Sequence, residues 1–165
     1  MMNRRFEYRE NPENNSLVID DIHFQTVCEI KLDHDEAGKI LISRPQAKYK
    51  KASSAKLHRY GNGEFCRFRI PKIWNVSGVY AIIVDSRLTY IGECEDLSFR
   101  FNTGYGQISP RNCYIGGQQT NCRINKLILE AAIASSIKLY FYPTSNHITI
   151  ESRLLCHNTK PDWNR

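Results

Sequence analysis

Apolar residues are packed most densely in the second half of the chain. Val79-Tyr80-Ala81-Ile82-Ile83-Val84 is an unbroken β-favouring run, and Leu88 to Gly92 is a second. The polar Asp85-Ser86-Arg87 between them turns the chain, so Gly78–Val84 and Leu88–Gly92 are predicted to form a β-hairpin. Glu95 to Phe101 follows as a short helix, with acids in the first turn where the helix dipole favours them. After a loop rich in Gly, Asn and Pro over 102–120, Ile124, Leu127, Ile128 and Ala131 recur at helical spacing. They predict a helix running from an Asn121 cap to about Ser135. Ile137–Tyr142 predicts a third strand, and Ile148–Cys156 a last helix. The order β-β-α-α-β-α defines an α+β fold: a small antiparallel sheet, hairpin plus third strand, flanked by helices.

The first half is less regular. The first fifteen residues, rich in Asn, Glu and Arg, read as a frayed terminus. Ser16 to Leu32 suits a strand or a short helix, and its pattern does not choose between them. Residues 33–38 are turn-forming, and 44–63, with Pro45, Gly61, Gly63 and many lysines, read as loop. Phe65, Arg67 and Arg69 alternate with Cys66, Phe68 and Ile70, which predicts a strand over Phe65–Ile70.

Composition narrows the class. A chain of 165 residues with 41% hydrophobic and 24% charged residues suits one domain, or a domain with an extension, and excludes wholesale disorder. No apolar run approaches the ~20 residues that cross a bilayer, and the arginines near the start precede no apolar stretch of the kind a secretory signal has. The six cysteines lack the close pairs of a structural zinc site, and they read as reduced thiols. A soluble cytoplasmic protein without a membrane partner is expected.

Charge adds a partner. The net +6 divides into −5 over residues 1–38, +9 over 39–72 and +2 over 73–165. Tyr49, Tyr60, Phe65 and Phe68 are interleaved with the ten basic residues of the middle segment. Lysine and arginine at that density suit a polyphosphate, because each neutralised phosphate releases condensed counterions. A solvated basic loop accounts for the composition equally well.

Gly78-Val79-Tyr80, followed ten residues later by Tyr90-Ile91-Gly92, resembles the paired motif of the GIY-YIG nucleases. Arg100 follows on the next helix, Glu151 falls on a helix after the third strand, and Pro161-Asp162-Trp163-Asn164 resembles that family's terminal Asn element. The stretches Gly104–Cys113 and Gly117–Asn125 look like its restriction-endonuclease-like branch. The resemblance covers residues 75–165 and implies a GIY-YIG nuclease core there. Residues 1–74 would then be an N-terminal extension, a DNA-binding arm. It implies Mg²⁺- or Mn²⁺-dependent hydrolysis of DNA phosphodiesters, of restriction or defence type. Repair-type nicking and a non-cleaving nucleic-acid-binding module are the alternatives. A symmetric double-strand cut would call for a homodimer.

The resemblance also assigns roles. Tyr80 is the candidate general base and Tyr90 orients the water or the phosphate, provided that the strand register brings their hydroxyls to one side. A phenol is a poor base unless a nearby cation lowers its pKa, and Arg100 is the candidate for that and for holding the phosphate. The family places a His or Tyr one helical turn beyond this Arg. Gly104 occupies that position here, and the role passes to Tyr105. Asn164 completes the catalytic set if the tail is tied down. Glu151, on a helix face shared with Ile148 and Leu155, is the metal candidate, since Mg²⁺ needs few protein carboxylates. Glu93, Glu95 and Asp96 are a lesser acidic alternative, and His147 and His157 receive no role. Candidate DNA contacts are Lys48, Lys50, Lys51, Arg59 and Arg67 in the basic segment, with Arg111, Gln118, Asn121 and Arg123 beyond the hairpin. The amides among them suit base edges, and they suit helix capping as well. Gly116-Gly117 marks a tight turn.

Overall fold

A computed structural model describes residues 5–157 and 159–165. The chain is α+β and forms two compact units. The first holds the described residues of Met1–Ile30, Ile70–Ser98 and Ser135–Arg165; the second holds Lys31–Arg69 and Phe99–Ala134. Residues 1–74, expected to be one extension, contribute to both.

The first unit is built on a six-stranded antiparallel sheet of order β1-β2-β3-β6-β4-β5. Its strands are β1 (Tyr8–Asn11), β2 (Ser16–Ile19), β3 (Ile22–Glu29), β4 (Gly78–Val84), β5 (Arg87–Cys94) and β6 (Ile137–Pro143). The hairpin and the third strand form as the apolar runs predict, with β4 between β5 and β6. Asp85 and Ser86 make a two-residue turn with φ of 45° and 65°, the left-handed conformation that matches hairpin twist.

The N-terminal segment differs from expectation. Residues 8–11 are not frayed, and Ser16 to Leu32 resolves into strands: β1, β2 and β3 form a meander joined to the sheet through β3–β6 pairing. Ile22 and Phe24 are buried while His23 and Gln25 are exposed, the alternation of a half-buried strand. The sheet curls enough for Glu10 on β1 to accept hydrogen bonds from Lys138 Nζ (2.9 Å) and Tyr140 Oη (2.8 Å) on β6.

One sheet face carries the main core. Leu17, Ile19, Ile22 and Phe24 join Val79, Ala81, Ile83, Leu88, Ile91 and Tyr140, closed by Leu154 of helix α3 (His147–His157) with Ile150 and Leu155 beside it. On the opposite face, Tyr80 pairs with Gly92 on one side and Phe141 on the other, and Ile82 with Tyr90 and Leu139.

The second unit has little regular sheet. Its core gathers Phe65, Ile108, Cys113, Tyr114 and Cys122, with Tyr49, Leu57 and Tyr60 against it. Phe65–Ile70 is not a strand. Arg67 and Arg69 point out and Cys66, Phe68 and Ile70 are buried, as the alternation predicts, but Phe65, which the alternation puts on the side of the arginines, is buried too. Yet only Phe65 makes a bridge, to Ser43, because no partner strand runs alongside. Cys66 instead pairs with a side chain: its N–H donates to Asn125 Oδ1 (3.0 Å) and its carbonyl accepts from Asn125 Nδ2 (2.9 Å). Helix α2 spans Gln119–Ala132 with Gln118 at its N-cap, so its cap lies three residues before the expected Asn121. A 3₁₀ turn at Pro45–Lys48 interrupts the expected loop. The short helix α1 is only Leu97–Phe99, and the backbone continues as a π-helix over Arg100–Tyr105.

Candidate active site

The register of the hairpin decides where the two tyrosines go. Val84 pairs with Arg87 and Ile83 with Leu88, but Ile82 pairs with Tyr90, so Thr89 is an extra residue bulged out of β5. In an unbroken ladder Tyr90 would pair with Ala81 and face the α3 side of the sheet. The bulge shifts it onto the face of Tyr80, and the two rings lie 6.0 Å apart. Thr89 Oγ1 donates to the Ile82 carbonyl (2.9 Å), which holds the bulge closed.

Gly92 has a steric task in the same place. Tyr80 lies across it, and a Cβ at position 92 would overlap the Tyr80 phenol carbon and hydroxyl. The tyrosine is therefore clamped in a groove that any side chain on Gly92 would fill. Tyr80 is 1% exposed and Tyr90 8%.

The C-terminal tail is tied to the same strand. Asn164 forms a two-bond amide pair with Ile91, accepting from its N–H at 2.9 Å and donating to its carbonyl at 2.7 Å. Trp163 N–H donates to the carbonyl of bulged Thr89 (2.9 Å). Tail, bulge and edge strand form one structure, with Asn164 as its clasp.

Glu151 lies on α3, on the other side of the sheet from the Tyr80 ring. Of the apolar residues expected to share its face, Leu155 packs toward the core, but Ile148 is 63% exposed. Glu151 is half-buried, and burial, then the nearby Glu93 carboxylate, push its carboxyl above the usual range, with Lys160 acting against them. Glu93 sits on this face because it pairs with Val79, and it bonds His147 Nδ1 at 2.6 Å, one turn before Glu151 on α3. Sequence reasoning misses this Glu93–His147 pair, because its signal is the β5 register and the bulge hides it. Glu95 is exposed, and the side chain of His157 lies outside the described residues. Among the described residues no three His, Cys, Asp or Glu side chains gather into a metal-binding group.

Arg100 and Tyr105 belong to the second unit. The expected place one turn beyond the Arg is Gly104, and the backbone here is a π turn, whose hydrogen bonds span i to i+5. The Arg100 guanidinium stands 5.7 Å from the centre of the Tyr105 ring, a cation–π contact. Tyr105 is buried, with its carbonyl accepting from Asn125 Nδ2 (2.7 Å).

The second unit is also the basic one. Its segments carry 14 Lys and Arg against 5 Asp and Glu, whereas the first unit has a net charge of −3. Lys48, Lys50, Lys51, Arg59, Arg67, Arg111 and Gln118 are exposed and Arg123 is half-buried. Arg67 shares its charge with Asp33 (3.1 Å), and Arg59 lies over the Tyr60 ring. Asn121 departs from its expected DNA contact. It is 3% exposed and donates to Gln118 Oε1 (3.0 Å), which makes it a support for the start of α2. No helix among the described residues is long and apolar enough to cross a membrane. No family model, curated protein or solved structure matches this chain.

Proposed function

We propose that this chain is a metal-dependent DNA endonuclease of the GIY-YIG type, restriction-like in its chemistry. The observation that carries the reading is the Thr89 bulge, which puts Tyr80 and Tyr90 on one face of the hairpin with Tyr80 clamped over Gly92. In the proposed reaction Tyr80, as its phenolate, takes the proton of the attacking water and becomes the neutral phenol, and Tyr90 orients that water. The family resemblance would give Arg100, in the second unit, a phosphate contact. Glu151 suits a hard divalent cation. It is an oxygen donor, half-buried beside a second carboxylate whose repulsion a cation relieves. Because Glu151 lies on the opposite face of the sheet from the Tyr80 ring, a Mg²⁺ or Mn²⁺ ion held there would neutralise the same phosphate only from around the Gly78–Cys94 end of the hairpin. The basic second unit supplies the DNA contacts, and a double-strand cut would use two copies of the chain.

The near-complete burial of Tyr80 favours a second reading, a non-cleaving DNA-binding module in which both tyrosines are core residues. Plasmid incubation with and without Mg²⁺ separates the readings. The nuclease cuts only with metal, and Glu151→Ala abolishes cutting while plasmid binding persists. Binding without cutting by the unaltered protein selects the module. Nicks without double-strand breaks select a repair-type enzyme.

A further inference from the structure

A large apolar side chain is displayed at the tip of a rigid turn in the basic unit. Tyr114 to Gly117 is a β-turn closed by the Gly117 N–H on the Tyr114 carbonyl (2.9 Å). Ile115 and Gly116 are its central residues, and Gly116 has φ +92°, as a type II turn requires at that position. The turn is fixed on every side. Ile115 N–H donates to the Lys56 carbonyl (2.9 Å), and Tyr114 Oη to the Gln46 carbonyl (2.8 Å). Gly117 packs so closely on Arg111 and Asn112 that a Cβ would collide with their backbone. Gln118 N–H closes the far end on Asn112 Oδ1 (3.2 Å).

Ile115 at this tip is 65% exposed. Its β-branched side chain is stiff, and its sequence and hydrogen-bonding neighbours Lys56, Arg111 and Gln118 are all exposed and polar or cationic. A preformed apolar point inside a cationic surface is the arrangement of a side chain that enters a DNA groove and presses between base pairs. Phosphate contacts offset the few kcal/mol of unstacking. We propose that the Ile115 turn is a wedge that partly unstacks one base step of bound duplex DNA. The inference rests on the reading of this unit as DNA-binding and adds deformation of the DNA to it.

The test is a topological one on the full chain. Plasmid is relaxed in EDTA, so that no cutting occurs, by a topoisomerase that needs no metal, with and without saturating protein. A wedge unwinds the duplex, so the wild type shifts the linking-number distribution. Ile115→Ala binds roughly tenfold more weakly, as expected for losing a buried apolar side chain. At saturation it leaves the distribution unshifted, with an unchanged melting temperature, and Ile115→Leu restores the shift. Wild-type binding without any shift overturns the wedge and leaves the DNA reading standing. An equal shift by saturating Ile115→Ala overturns it likewise. A change of oligomeric state in Ile115→Ala with the shift intact would make the turn a protein contact. Failure of the wild type to bind plasmid removes the DNA reading itself, and the wedge with it.

Discussion

Tyr80 and Gly92 are a matched pair, and each explains the other's residue type. Strand β5 carries no side chain opposite Tyr80 because the Tyr80 ring occupies that space. Gly92→Ala forces the ring off its position, and overpacking of this kind costs about 1–3 kcal/mol. Tyr80→Phe keeps the ring and loses only the hydroxyl, so its stability cost is about 1 kcal/mol. The two variants part in activity. If Tyr80 is the general base, Tyr80→Phe lowers cleavage at least 10²-fold, far more than a loss of about 1 kcal/mol in stability accounts for. A rate within a few-fold of wild type would return the tyrosine to a core role. Chemical denaturation and plasmid cleavage, measured on both variants, give the two readouts.

Edge strand β5 depends on contacts made from far along the chain. Its outer side would expose unpaired backbone groups, and the tail covers them through Trp163 on Thr89 and Asn164 on Ile91. Asn164→Ala removes both side-chain bonds at once. We expect a loss of about 1–3 kcal/mol and much faster hydrogen exchange at the Ile91 N–H, with Tyr90 less firmly held. Exchange unchanged at Ile91 would mean that the tail is dispensable. At the opposite edge, β1 is held by Glu10, whose bonds to Lys138 and Tyr140 outweigh the effect of its burial and lower its carboxyl below the usual value. A lowered carboxyl adds stability that is present above its unfolded value of 4.5 and is lost as pH falls through the folded one. Glu10→Gln is therefore less stable than wild type at pH 7, by no more than about 1 kcal/mol at this solvent-screened site. The gap closes in acid, as thermal melts at pH 7 and pH 3 would record.

These elements also show what a sequence makes legible. The hairpin is readable because β4 is buried on both faces and so is apolar throughout. The α3 and β6 spans follow from short apolar periods of the same kind. Strand β1, Tyr-Arg-Glu-Asn, has no apolar alternation and becomes a strand only by pairing with β2. Phe65–Ile70 has the alternation and lacks the partner. In the candidate site, the residue types are visible in the sequence and their relative positions are not. One bulged residue and one π turn decide where Tyr90 and Tyr105 lie, and neither leaves a periodic trace. Asn121 and Gln118 are both amides near a helix start, and only burial assigns the first to support and leaves the second exposed.

At the scale of the whole molecule, charge and fold are divided along the same line. The unit containing the sheet, both hairpin tyrosines and Glu151 has a net charge of −3, and the unit containing Lys31–Arg69 and Phe99–Ala134 one of +9. The basic segment is not a loose arm. Its backbone is bonded to that of 99–134 through the Leu57–Tyr114 bridge and the His58–Cys113 hydrogen bond. Its exposed lysines thus stand on a folded base, which on the proposed DNA-binding reading would lower the entropy lost when they meet phosphates. Lys48, Lys50 and Lys51 are the sharpest test, being exposed and close in sequence. Replacing all three with Gln should weaken binding to every DNA sequence alike, because phosphates carry no base information. The slope of log K against log salt should fall by about 0.9 for each phosphate that the variant no longer neutralises. Melting temperature should change little, since none of the three side chains is buried. An unchanged slope would place these lysines away from the DNA and leave Arg59, Arg111 and Arg123 to account for binding.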